Sequence, residues 1–127
     1  MLLDRWERER PFLGVCLGHQ LLAERYGARV VRARAPVHGE RTRVTHDGRG
    51  IFSGVRSPIQ AARYHSLVVD ARTVPRDLEV SAWGRGRVVM ALRHRLLPVE
   101  SVQFHPESYL TREGPALFSN FLRGVRR

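Results

Sequence analysis

The chain has 127 residues, 43% of them hydrophobic, which is enough for one domain with its own core over residues 1–127 and calls for no second. Its net charge of +10 comes from 22 basic residues, all arginine, scattered from Arg5 to Arg127 without a helix-turn-helix, zinc-finger or RNA-binding motif, so no nucleic-acid partner is expected. A single cysteine excludes an internal disulfide, the charged opening is unlike a signal peptide, and no apolar run reaches membrane-spanning length, so the expected compartment is the cytoplasm, with no membrane partner.

In chain order, residues 2–10 read as the end of a helix or a frayed lead-in that Pro11 stops. The apolar run 11–15 predicts a short buried strand. Residues 17–26 predict a helix with Leu17, Leu21 and Leu22 on one side and Gly27 as its C-cap. Between them stands Cys16, flanked by Gly14 and Gly18. This is the layout of a nucleophile elbow: the glycines leave room for a sharp turn, and the positive end of the helix favours a thiolate. A buried structural cysteine fits the same stretch, which does not choose between the two.

Residues 28–33 read as the next strand, completing β, α, β. From residue 36 to residue 98 the pattern becomes turn-rich, with strands expected at 41–46, 59–64, 78–83 and 88–93. Asp47-Gly48 and Trp83-Gly84-Arg85-Gly86 are the clearest turn signals, so antiparallel excursions are expected after the βα core. A further strand, 99–104, is closed by His105-Pro106. Thr111 can then cap a terminal helix that carries Leu117, Phe118, Phe121, Leu122 and Val125 on one stripe. The order predicts an α/β domain around a mostly parallel central sheet, with functional residues at the C-terminal ends of its strands. Cys16 and His105 both fall there.

A nucleophilic cysteine needs a base to take its proton and an acid to protonate the leaving group. His105 follows a strand, precedes a proline, and has Glu107 two residues on, where the carboxylate can reach its second ring nitrogen. That is the logic of a Cys-His-Glu triad; a strand-end histidine beside a solvated glutamate is the alternative. His19 reads as packing or hydrogen-bonding the elbow. His46 and His94 read as exposed turn residues, and His38 as a loop residue before Gly39.

Gly14-Val15-Cys16-Leu17-Gly18-His19-Gln20, Arg63-Tyr64-His65-Ser66-Leu67 and Val102-Gln103-Phe104-His105-Pro106-Glu107-Ser108 together resemble the class I (triad-type) glutamine amidotransferases. The chain is most similar to the glutaminase component of anthranilate synthase and aminodeoxychorismate synthase. The resemblance implies a three-layer, flavodoxin-like α/β fold and no cofactor or metal. It further implies that Cys16 attacks the glutamine amide, that His105 serves as base and then acid, and that Glu107 orients His105. Leu17 would supply an oxyanion N–H, while Gln20 and the Ser66-Leu67 backbone would hold glutamine. Tyr64 and His65 would pack and shape the loop. The ammonia would pass to a synthase that carries chorismate, as a separate or fused chain, and His38-Gly39 matches a partner-facing stretch of such relatives.

The front of the chain departs from this pattern. Relatives begin with one more α/β unit, including a sheet strand and a Gly-Pro-rich loop that gives a second oxyanion N–H. Neither precedes Cys16 here, so the fold is expected to be N-terminally truncated. An internal Met taken as the start, a missing part supplied by another chain, and a noncatalytic partner-binding or regulatory remnant each account for this.

Overall fold

The computed structural model describes residues 10–125, and of residues 35–40 and 125 it describes the backbone. Of the lead-in expected at 2–10, residues 2–9 lie outside the described residues. Six strands form one sheet: β1 (Phe12–Val15), β2 (Val30–His46), β3 (Ile59–Val69), β4 (Leu78–Trp83), β5 (Val89–His94) and β6 (Val99–Val102), in the spatial order β1-β6-β5-β4-β2-β3. Among the described residues two α-helices accompany it, α1 (Leu17–Arg25) and α2 (Gly114–Val125).

The expectation of a mostly parallel sheet is corrected here. Among the described residues only β1 and β6 pair in parallel, with Phe12 opposite Val99 and Val15 opposite Val102; the other strand pairings are antiparallel. Parallel neighbours need a long crossover, usually a helix, whereas short turns can only reverse the chain. Between residues 30 and 102 the connections hold nothing longer than three-residue 3-10 turns, so these strands fold back on one another. β2 follows α1 but pairs with β3 and β4, not with β1.

The strands expected at 28–33 and 41–46 are one 17-residue strand. Its register against β3 shifts between Arg32 and Val37, the interval that contains Pro36. A proline has no N–H to give the ladder and is tolerated at a bulge, so it interrupted the pattern without ending the strand. β3 likewise runs past residue 64 to Val69, which puts Ser66 and Leu67 on a strand.

Gly27 at φ 99° ends α1 as expected: its N–H bonds the Glu24 carbonyl at 3.0 Å and the Ala28 N–H bonds that of Ala23 at 2.9 Å, a Schellman closure. The buried face of α1, however, is His19, Gln20, Leu22 and Ala23, while Leu17 and Leu21 are exposed. The leucines at i and i+4 share a stripe, but the helix turns a partly polar stripe towards the sheet. In α2, Leu117 is buried and Leu122 exposed; the Val125 side chain lies outside the described set.

Each helix closes its own apolar cluster. Leu117 and Phe121 of α2 join Val44, Phe52, Ile59, Met90 and Phe104, whereas Ala23 of α1 and Tyr26 at its C-cap join Val69, Leu78, Val89 and Leu92. Across one end of the sheet, the nearly buried Arg93 guanidinium reaches Asp47 at 2.8 Å, Glu79 at 3.0 Å and Glu100 at 3.2 Å, so a single cation ties four consecutive strand ends. No described helix is long and apolar enough to cross a membrane.

Gly114 opens α2 so close to the His105-Pro106 bend that a β-carbon there would collide with the Pro106 carbonyl oxygen. Gly124, in the same helix, faces open space. Gly114→Ala should therefore cost about 3 kcal/mol of folding free energy by overpacking. Gly124→Ala should gain up to about 1 kcal/mol from helix propensity. Urea unfolding of both variants checks the opposite signs.

Candidate active site

Cys16 sits at the N-cap of α1 with φ 53° and ψ −100°, a conformation costly for a residue with a β-carbon. It is held from both sides: its N–H donates to the Val102 carbonyl at 2.8 Å, and its own carbonyl accepts from the Gln20 N–H at 3.1 Å. The first bond extends the parallel ladder by one residue and the second starts the helix. The glycine requirement is one-sided. A β-carbon on Gly14 would lie 2.9 Å from the Gly18 carbonyl carbon and oxygen, whereas one on Gly18 would meet nothing within 4 Å.

The thiol is half-buried and accepts a hydrogen bond from Gln103 Nε2 at 3.8 Å. Burial pushes its pKa above the ordinary cysteine value and the Glu107 carboxylate adds to the rise. The Leu17 backbone N–H and the Gln103 amide draw it down without cancelling the effect. The helix N-terminus thus acts as expected on the thiolate, but desolvation is larger and the resting group is the thiol.

His105 lies past the end of β6, since the strand stops at Val102 while Gln103 and Phe104 continue into the core. Its N–H bonds the Ala62 carbonyl at 3.0 Å, and its Nδ1 lies 2.9 Å from Glu107 Oε2. With the carboxylate accepting at Nδ1, the neutral ring offers Nε2 as its proton acceptor. The Tyr64 ring meets the imidazole edge-on, with centroids 5.3 Å apart. Thr111, read in the sequence as a helix cap, instead accepts from the Ala62 N–H and donates to the His105 carbonyl, each at 2.8 Å, and so clamps His105 to β3.

Gln20, nearly buried, donates from Nε2 to the Leu67 carbonyl and to Gln103 Oε1, both at 3.4 Å. The Leu67 carbonyl also accepts from His65 Nδ1 at 3.0 Å, and Arg63 Nε donates to His65 Nε2. Burial first, and Arg63 second, lower the His65 pKa to about 4; burial and then His65 lower that of His19 to about 3. His19 Nδ1 bonds Ser101 Oγ at 2.7 Å, fastening α1 to β6 as an elbow-packing residue.

Cys16, Leu17, Gln20 and Leu67 are therefore brought together, as are His105 and Glu107, whose carboxylate lies near enough to Cys16 to raise its pKa. Ser66 is exposed on β3 beside Leu67. His38 and Gly39 lie outside the side chains described. His94, expected to be exposed, is buried against Tyr26 and accepts from the Leu96 and Leu97 N–H groups at its turn. The sequence alone gives no role at the site to Gln103, which it shows only within a motif, or to Thr111, which it offers as a helix cap. The signal for Gln103 was there: an amide inside the apolar run Val102-Gln103-Phe104 needs buried partners. A cleft of about 610 Å³ lined by Phe12, Ile51, Pro98, Glu100, Asn120 and Phe121 lies at the other end of β1 and includes neither Cys16 nor His105.

The profile of the family "Glutamine amidotransferase class-I" matches residues 1–125. The chain is 48% identical over 112 residues to aminodeoxychorismate synthase component 2 of Escherichia coli, covering 88% of this chain and 60% of that protein. It is 46% identical over 133 residues to anthranilate synthase component 2 of Pseudomonas aeruginosa, covering 98% and 66%. A crystal structure of a Thermoplasma acidophilum protein described as one subunit of GMP synthase superposes with a TM-score of 0.87 at 32% identity, over 97% of this chain and 59% of that one. The chain thus spans about three-fifths to two-thirds of the length of these three relatives.

The two neutral histidines set an acid limit on stability. Unfolded histidine titrates near 6.5 and folded His65 near 4, so between these values the unfolded chain binds more protons and folding free energy falls as pH drops. His19 continues the loss towards about 3. Thermal melts across this range should show the midpoint falling with pH, and less steeply in His65→Gln; equal slopes would contradict it.

Proposed function

The chain belongs to the class-I glutamine amidotransferases, and from that premise we propose that it is a glutaminase subunit working in the cytoplasm. It hydrolyses glutamine through a thioester on Cys16 and passes the ammonia to a chorismate-using synthase that makes anthranilate or aminodeoxychorismate. The observation that carries this reading is the placement of Cys16 and the His105–Glu107 pair beyond the C-terminal ends of two adjacent parallel strands. The likeness to component 2 proteins of both synthases supports the partner and leaves its product as either of the two.

In the first half-reaction His105 Nε2 takes the thiol proton and the sulfur bonds to the side-chain carbonyl carbon of glutamine, whose oxygen becomes an oxyanion at the Leu17 N–H. The carbonyl re-forms, His105 returns the proton to the departing nitrogen, and ammonia leaves a γ-glutamyl thioester. Water then attacks that carbon, His105 accepts its proton, and collapse releases glutamate and the thiol. Glutamine and water become glutamate and ammonia. A thiol whose pKa is raised by burial suits a mechanism in which the base acts only once substrate is present. Glu107 holds the imidazole tautomer and stabilises its cation. Gln20 and the Ser66-Leu67 backbone match the amide and main-chain groups of glutamine.

Glutamate release should vanish in Cys16→Ala and fall about 10² to 10⁴-fold in His105→Ala, with a smaller loss in Glu107→Gln. A diazoketone analogue of glutamine should label Cys16 covalently. If the chain mixed with its synthase releases no glutamate and Cys16 stays unlabelled, the noncatalytic partner-binding reading replaces this one.

A further inference from the structure

Gln103 is fully buried, and its amide makes two side-chain bonds of opposite kind. Nε2 donates to Cys16 Sγ at 3.8 Å, and Oε1 accepts from Gln20 Nε2 at 3.4 Å. Turned over, the same amide would aim its oxygen at the sulfur and its NH2 at the NH2 of Gln20. The first would disfavour a thiolate, and the second would set donor against donor.

The orientation is fixed from a distance, because each link has one permitted direction. Arg63 can only donate, so His65 Nε2 accepts and His65 Nδ1 carries the proton it gives to the Leu67 carbonyl. That carbonyl can only accept, so the Gln20 group facing it is the NH2, which also reaches Gln103 Oε1. The amide of Gln103 therefore presents its donor to the sulfur.

We propose that Gln103 is a positioning residue that lowers the cost of ionising Cys16, with Gln20 selecting the amide face it turns to the thiol. A residue of the glutamine pocket and the nucleophile are then parts of one hydrogen-bonded unit. This rests on reading Cys16 as the nucleophile. The other ionisable groups about the site are His19 on α1, Arg63, Tyr64 and His65 on β3, and His105 and Glu107 beyond β6. Glu107 pushes the thiol up, and the two buried histidines are neutral where a thiol titrates.

Because the chain has one cysteine, the pH dependence of its alkylation by iodoacetamide reports Cys16 alone. In Gln103→Met, which keeps the length and removes the donor, the alkylation midpoint should rise by about one pH unit. Gln20→Met should move it the same way by less, since the freed amide then samples both faces. Thermal midpoints measured alongside separate the roles: a residue that only fills space lowers the melt and leaves the pH profile in place. An unchanged alkylation midpoint in Gln103→Met overturns the proposal. If that variant does not fold, an unchanged midpoint in Gln20→Met does so. Failure of the glutaminase reading would look different, as absent glutamate release and absent analogue labelling in the unsubstituted chain.

Discussion

The parallel ladder between β1 and β6 is the constraint on which the site depends. Val15 lies opposite Val102, and one further bond, from the Cys16 N–H to the Val102 carbonyl, fixes where the first strand stops and the helix begins. Gln103 and Cys16, 87 residues apart in the chain, meet because these two strands run side by side in the same direction. Parallel strands end together, so whatever follows each of them shares one edge of the sheet. The antiparallel strands β2 to β5 buttress this pair, with β5 beside β6 and β3 reaching His105 through Ala62.

Behind that edge lies a chain of polar groups, mostly buried, whose hydrogen bonds run in one direction. Left unpaired, such groups would cost more than apolar replacements; fully paired, they specify one geometry. The set from Arg63 through His65, the Leu67 carbonyl, Gln20 and Gln103 ends on the sulfur. It also explains the buried face of α1. His19 and Gln20 point inward because Ser101, Leu67 and Gln103 wait for them on the sheet, and Leu17 and Leu21 are left outside. The same burial raises the thiol pKa, so the strained elbow holds a proton at rest.

Much of this was legible in the sequence where the signal is local. The strand before Cys16, the helix after it, the Gly27 cap and the His105–Glu107 pairing each follow from neighbours a few residues away. The misreadings share a cause. Residues 28–33 and 41–46 looked like two strands because the bulge that carries the chain between them is set by β3, which neighbouring residues do not reveal, and Thr111 looked like a helix cap because its partners, Ala62 and His105, lie on other elements. Gly18 looked as constrained as Gly14, although only the β-carbon direction of Gly14 points into the turn. His94 looked exposed beside its arginines, and it is buried because Tyr26 packs on it.

The sequence by itself determined the chemistry available: one thiol at a strand-to-helix turn, a histidine followed by a glutamate at another strand end, and motifs specific enough to assign a family. These are matters of residue type and short spacing, which the chain states directly. Tertiary structure decided the rest. It made the sheet mostly antiparallel, since strand direction depends on which strands meet and not on their own composition. It also decided which polar groups are buried, and hence that desolvation outweighs the helix end at Cys16 and that Gln103, unremarked in its apolar run, is the side chain that reaches the sulfur.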